Sequence, residues 1–211
     1  MPTLEDLSKA LERGERDRVK TLTELALEEG LAPRAILDGS LVKTMEELGI
    51  RFSNCDIFLP ELMAAATAMH AAMGVLKPHL EGSDVRPVGK VVMGTVKGDM
   101  HDIGKNLVGM MLRGAGFEVI DLGVNVPAEK FIASAKEHGS ELIGISALLT
   151  TTMQEMGRVV GVIKDSEIGP RVKVMVGGAP LDQAYADKIG ADGYGKDGGM
   201  AVERAKRLIG L

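Results

Sequence analysis

Lys90-Val91-Val92-Met93-Gly94-Thr95 is a short apolar run rich in β-branched residues, and the stretch behind it decides the fold. Val96-Lys97-Gly98-Asp99-Met100-His101-Asp102 is polar and carries a glycine. Ile103-Gly104-Lys105-Asn106-Leu107-Val108-Gly109-Met110-Met111-Leu112-Arg113-Gly114-Ala115 then repeats its apolar positions at helical spacing, and Phe117-Glu118-Val119-Ile120-Asp121-Leu122 is a second apolar run. Strand, loop, helix and strand in that order form a βαβ unit, which makes the two strands parallel neighbours in one sheet. The alternation continues. Strands are expected at Lys90–Thr95, Phe117–Leu122, Leu142–Ser146, Val172–Val176 and Gly193–Gly195, with helices near 103–115, 127–138, 151–165, 181–189 and 197–209. Strands this short and continuously apolar are covered on both faces. The C-terminal part is therefore expected to be an α/β domain, a Rossmann-like (flavodoxin-like) doubly wound parallel sheet.

Upstream the period changes. Leu4, Leu7 and Leu11 fall at helical spacing, as do Val19, Leu22 and Ala26, then Leu37, Leu41, Met45 and Leu48, then Leu62, Ala66, Met69, Met73 and Leu76. Thr3 with Asp6 reads as a start cap. Gly14, Gly30 and Gly49 sit where helices are expected to stop, and Pro33 and Pro60 suit first turns. Four short helices with tight turns make a small N-terminal four-helix bundle. Residues 81–88 lose the period and read as a linker. The expected organisation is 1–80 helical bundle, 81–88 linker and 89–211 α/β domain.

Composition bounds the function. The chain has 211 residues, 45% hydrophobic and 26% charged, with a net charge of −5 and a pI near 5.5. A basic surface for nucleic acid or anionic membrane is not expected. Cys55 is the one cysteine, so an internal disulfide is excluded. No uninterrupted apolar run reaches the roughly 18 residues of a membrane span. Met1-Pro2-Thr3-Leu4-Glu5-Asp6-Leu7 has no basic segment followed by an apolar one, so no secretion signal is expected, and the expected location is the cytoplasm.

In doubly wound sheets, ligands bind beyond the carboxyl ends of the strands. The loop after the first strand is the longest and most polar. It has neither the dinucleotide fingerprint nor the phosphate-loop motif. It offers His101 between two carboxylates, Asp99 and Asp102, bracketed by Gly98 and Gly104. A histidine whose second nitrogen meets a carboxylate is the usual form of a tuned metal ligand. Structural zinc does not fit, since no other His or Cys lies near. One protein ligand implies that a macrocycle supplies the rest. By themselves these features also have plainer readings. His101 would be a loop residue, Gly177-Gly178 a strand-to-helix turn, Thr150-Thr151-Thr152 a helix N-cap cluster, and Met45, Met63, Met69 and Met73 core.

The residues resemble those of a known family. Asp99-Met100-His101-Asp102-Ile103-Gly104 fits the D-x-H-x-x-G signature of cobalamin-binding domains, and Thr95 to Gly109 is similar to the cobalamin module of methionine synthase. The family's S-x-L element appears as Ser146-Ala147-Leu148, and its double glycine as Gly177-Gly178. Phe58-Leu59-Pro60-Glu61-Leu62-Met63 is similar to the opening of the last helix of the family's cap bundle. The layout resembles the free-standing corrinoid proteins of methyltransferase systems.

The resemblance implies the following roles. The cofactor is cobalamin or a related corrinoid, bound base-off/His-on, with His101 as the axial ligand to cobalt. Asp99 holds the other ring nitrogen, and the Thr152 hydroxyl continues that chain; these three form the catalytic set. Gly98, Met100, Asp102, Ile103 and Gly104 complete the motif contacts. Ser146 and Thr150 hydrogen-bond the cofactor's tail, Leu148 also contacts the cofactor, and Gly177, Gly178 and Gly198 border its slot. Phe58, Leu62 and Met63 are cap candidates. The implied function is a methyl carrier that turns nothing over alone. Its implied partners are a donor-specific methyltransferase, an acceptor methyltransferase (folate or thiol acceptor) and a reductive activase. The alternatives are a cobalamin-binding sensor module and the cobalamin domain of a radical mutase.

Overall fold

The structure, a computed structural model, describes residues 4–80 and 87–211. Two compact units divide the chain: Met1–Arg86 with Gly114–Gly116, and Pro87–Arg113 with Phe117–Leu211. The proposed cap Thr3 and residues 81–86 of the proposed linker lie outside the described residues.

The helical unit contains α1 (Leu4–Glu12), α2 (Arg16–Glu28), α3 (Pro33–Ile36), α4 (Lys43–Ser53) and α5 (Leu59–Leu80). Its core is formed by the apolar stripes that the spacing marked. Leu7, Leu11, Val19, Leu41, Leu48, Leu62 and Leu76 are almost wholly buried, as are Met45 and Met69, and Ile36, outside those stripes, joins them. Gly14 and Gly30 do end helices: the residue after each donates back to a carbonyl five residues earlier, Glu15 to Ala10 and Leu31 to Ala26.

Two expectations for this unit fail. The third helical segment is longer than expected, because α3 continues through a π-helical stretch, Leu37–Val42, into α4 without a break. Gly49 does not stop it; Gly49 is buried inside α4. The stop comes at Cys55, which takes φ +64° while Cys55 N–H donates to Phe52 and Asp56 N–H to Arg51. A cysteine fills the position that glycine usually takes, so composition gave no cue. The fourth helix is not short either. α5 has 22 residues, and Leu59–Leu76 is long and apolar enough by composition to cross a membrane. In this fold Leu62, Ala65, Ala68, Met69, Ala72 and Leu76 of that stretch are buried.

The second unit contains β1 (Lys90–Thr95), α6 (Ile103–Gly114), β2 (Glu118–Asp121), α7 (Ala128–His138), β3 (Leu142–Ser146), α8 (Thr150–Asp165), β4 (Lys173–Gly177), α9 (Gln183–Lys188), β5 (Gly193–Gly195) and α10 (Gly198–Leu208). The strands form one parallel sheet in the order β2-β1-β3-β4-β5. Val91 pairs with Leu142 and Thr95 with Ser146, so β1 and β3 end level. Both are buried along nearly their whole length. Phe131, Met156, Val159 and Ile163 cover one face of Val92, Ile143, Ile145 and Val174. Between β1 and β3 the chain reverses its direction of winding. Their loops part there and leave the crevice in which such sheets bind ligands.

Candidate functional site

The loop after β1 turns back on itself at once. Asp99 N–H donates to the Val96 carbonyl at 3.1 Å, and Gly98 takes φ +85°, which favours glycine. The turn drives the Asp99 side chain inward, where it is completely buried. The carboxylate is then saturated with donors. Oδ1 accepts from His101 N–H at 3.0 Å and meets His101 Nδ1 at 2.8 Å. Oδ2 accepts from Leu148 N–H at 2.8 Å, Leu149 N–H at 3.3 Å and Thr152 Oγ1 at 2.8 Å. Burial pushes the Asp99 carboxyl up, but the amides of His101 and Leu148, the Thr152 hydroxyl and the His101 ring outweigh it. The group is held well below the ordinary aspartate range.

That ionised carboxylate fixes the histidine. It can only accept, so Nδ1 carries a proton, and in the neutral ring it is Nε2 that has the lone pair. The His101 side chain is half exposed, which leaves Nε2 available to a ligand. The backbone is fixed too, since Thr95 Oγ1 donates to the His101 carbonyl at 2.9 Å. By contrast, His70 and His79 are exposed on α5, and His138 is turned onto the Ser134 carbonyl.

Thr152 sits in the first turn of α8 and is buried, whereas Thr150 and Thr151 are exposed. None of the three is the N-cap; Leu149 is, with no side-chain cap of its own. Asp99 does that work from the neighbouring loop, setting a negative charge at the positive end of a 16-residue helix. The first and second motifs are thus joined by one carboxylate across the β1/β3 crevice.

The remaining motif residues fall into two groups. Met100, Ile103, Leu148 and Leu149 expose apolar surface around this crevice, Ile103 at 78% and Met100 at 68%. Asp102 is exposed and accepts from the Asn106 side chain at 3.0 Å. A Cβ built on Gly104 would meet nothing within 4 Å, so the fold itself does not require glycine there. Ser146 ends β3, partly buried, level with Gly177 at the end of β4. The fold does require Gly178: its φ is +143° and a Cβ would fall 1.8 Å from the Ala147 carbonyl oxygen. Gly178 therefore packs the third motif against the second, a role the cofactor reading did not assign. Gly198 is buried at the start of α10, where a Cβ would fall 2.2 Å from Met111 Sδ. Its lack of a side chain is explained by that contact with α6.

In the helical unit, Phe58 and Met63 are exposed at 73% and 47%, whereas Leu62 is fully buried. Of the three cap candidates, Phe58 and Met63 are thus the exposed ones. Phe58 immediately precedes α5, and the Glu61 carboxylate accepts its N–H at 2.8 Å.

Two features escaped sequence reading. Lys105 is buried and places Nζ between both Asp121 oxygens, at 2.7 and 2.6 Å, and Asn106 Oδ1 at 2.6 Å. Partial burial pushes the Asp121 carboxyl up, but Lys105 and the Gly123 amide prevail and hold it below its usual range. The pair ties the first turn of α6 to the end of β2. Lys105→Met keeps the stem and removes the charge. It is expected to cost about 1–3 kcal/mol in urea unfolding, toward the low end because water reaches Asp121. An unchanged unfolding midpoint would mean the tie contributes nothing. The second feature, Asn125, is taken up below.

Comparison with known proteins decides the family. A B12 binding domain model matches residues 89–203, and a second B12 binding domain model matches residues 3–77. The chain belongs to the B12-binding corrinoid proteins. It is 46% identical to the dimethylamine corrinoid protein of Methanosarcina barkeri over 207 residues, covering 98% of this chain and 97% of that one. Dimethylamine corrinoid protein 2 of Methanosarcina acetivorans is 44% identical, with coverage of 98% and 95%. Among solved structures, the methanol:cobalamin methyltransferase complex MtaBC from Methanosarcina barkeri aligns with a TM-score of 0.87 at 30% identity, covering 99% of this chain and 80% of that one. A cobalamin-binding protein from Desulfitobacterium hafniense aligns over the full length of both chains, with a TM-score of 0.80 at 28% identity.

The site suits the cofactor of this family. Among the described residues, no cluster of three or more His, Cys, Asp or Glu stands ready for a metal. The donor set is one outward-facing imidazole nitrogen in an apolar, glycine-edged crevice. It fits a metal that brings its own equatorial ligands in a flat macrocycle.

Proposed function

We propose that this protein is a methyl carrier, taking a methyl group from a donor-specific methyltransferase and delivering it to an acceptor methyltransferase. A bound corrinoid supplies a cobalt that accepts and releases the methyl group. The chain supplies the rest. His101 Nε2 would hold the lower axial position, base-off/His-on. Asp99 would keep the proton on Nδ1 and, being ionised, strengthen the ring as a donor; Thr152 would hold Asp99 in turn. Gly104 leaves room beside the loop, and Met100, Ile103, Leu148 and Leu149 shield the cofactor from water. The single observation that carries this reading is the buried Asp99 carboxylate hydrogen-bonded to Nδ1 of a half-exposed His101 ring at the sheet's crevice. The names of the relatives make methylated amines the first donors to try. A reductive activase is the third proposed partner, and the cytoplasm the proposed site of action.

The test has two arms. Protein mixed with hydroxocobalamin should retain one equivalent through gel filtration. The loaded protein should demethylate a methylamine only when both methyltransferases are added. Turnover by the loaded protein alone would make it an enzyme in its own right, and failure to retain the cofactor would end the reading. Thr152→Val is expected to leave the cofactor bound and shift the cobalt potential, while Thr152→Ser restores it. Equal potentials in all three would remove Thr152 from the chain.

A further inference from the structure

Asn125 lies in the loop between β2 and α7, outside every motif. It is exposed, and its backbone takes φ +55°, a conformation that asparagine tolerates better than most residues. Its side-chain Oδ1 accepts the Gly98 N–H at 2.8 Å, and its own N–H donates to the Asp99 carbonyl at 3.0 Å. One residue thus grips the backbone on both sides of the turn that aims Asp99. The grip is anchored. Val126 N–H donates to the Thr95 carbonyl at 2.9 Å, Thr95 N–H donates to Gly123 at 3.0 Å, and Val126 pairs with Val96. Asp121 Oδ1 accepts the Gly123 N–H at 2.9 Å, which joins this loop to the Lys105 tie.

We infer that Asn125 is a positioning residue of the ligand site: it sets the Gly98–Asp99 turn and, through the Asp99 carboxylate, the tautomer and aim of the His101 ring. The carboxylate must reach His101 Nδ1 and Leu148 N–H at once, each at 2.8 Å, from a backbone that, among the described residues, is hydrogen-bonded by Val96 and by Asn125. Leu149 N–H, already at 3.3 Å, has no slack. Loss of the grip lets the turn drift by a few tenths of an ångström, enough to weaken bonds so dependent on distance and angle. The effect on cobalt rests on His101 being the ligand; the effect on the ring does not.

The experiment starts with the cofactor-free protein. Gly98 is exposed, so its amide should exchange freely unless Asn125 holds it. In the wild type we expect exchange slowed roughly tenfold or more relative to unstructured chain, and ¹⁵N shifts of the His101 ring showing the proton on Nδ1. Asn125→Gly keeps the backbone conformation accessible and removes the acceptor. It should release the Gly98 amide and move the ring to a mixture of tautomers. Asn125→Asp, which restores an acceptor, should recover both. A Gly98 amide that exchanges freely in the wild type would overturn the inference, and that result holds even if the glycine variant fails to fold. So would a folded Asn125→Gly protein with the wild-type ring tautomer. Loading with hydroxocobalamin separates the two readings. A tautomer that shifts while the cobalt potential stays put would remove His101 as the ligand and leave its positioning by Asn125 standing.

Discussion

Asp99→Ala is expected to destabilise the cofactor-free protein by about 2–4 kcal/mol, because it strands buried donors rather than merely deleting an acceptor. Leu148 N–H and Thr152 Oγ1 both end on Asp99 Oδ2, and the start of α8 loses the negative charge that Asp99 sets there. For a chain of this size the melting temperature should fall by about 2–4 °C per kcal/mol. Asp99→Asn should cost less, since the amide oxygen still serves one side while its NH₂ opposes donors on the other. The two proteins should also differ in their response to acid. The folded-state pKa of Asp99 lies below its unfolded value, so its contribution is complete above about pH 4 and is lost as the pH falls below that. Asp99→Asn should therefore flatten the acid limb of the stability curve. Parallel acid limbs in the two proteins would show that the carboxylate is not held ionised by the fold.

Gly178→Ala is expected to be still more damaging, at about 3 kcal/mol or more. The new methyl would fall 1.8 Å from the Ala147 carbonyl oxygen at a φ of +143°, and backbone on both sides would have to move. Gly177, whose carbonyl accepts the Ala147 N–H at 3.2 Å, would be carried along, so the loops after β3 and β4 should separate. Gly104→Ala is the matched control. It meets open space, so stability should change by no more than about 0.5 kcal/mol, while cofactor retention falls. If Gly104→Ala binds cobalamin as the wild type does, the space beside Gly104 is not used by the cofactor. If Gly178→Ala melts with the wild type, the packing account of the double glycine is wrong.

The α/β unit was legible because its signals are local. Short β-branched runs closed by polar loops gave five strands, and Leu142–Ser146 and Gly193–Gly195 stand where the sequence put them. In the helical unit the stripes were legible but some of the stops were not. Gly49 resembles a terminator yet is buried inside α4, and the true terminator is a cysteine in a left-handed conformation. Burial overrode the propensity of glycine to break a helix. Among the cap candidates, Phe58 and Met63 are exposed and Leu62 is buried, a difference that their shared stretch of sequence does not mark. At the site, Asp99, His101 and Thr152 could be named in advance because a motif carries them. Asn125 and the Lys105–Asp121 tie could not, because each acts between segments far apart in sequence. Polar residues in such positions have no periodicity to mark them, and only the parallel pairing of β1 with β2 brings them to the loop.

The central claim is that His101, held by Asp99, binds cobalt in place of the cofactor's own base. Its most direct test is the electron paramagnetic resonance spectrum of the cob(II)alamin-loaded protein, prepared with ordinary and with ¹⁵N-labelled histidine. The unpaired electron couples to the axial nitrogen, so ordinary histidine splits each cobalt line into a triplet. The account predicts that ¹⁵N-histidine converts the triplets to doublets and that His101→Ala abolishes the histidine-dependent splitting. Triplets that persist in the labelled protein would mean the cofactor's base remains on cobalt and His101 is not its ligand.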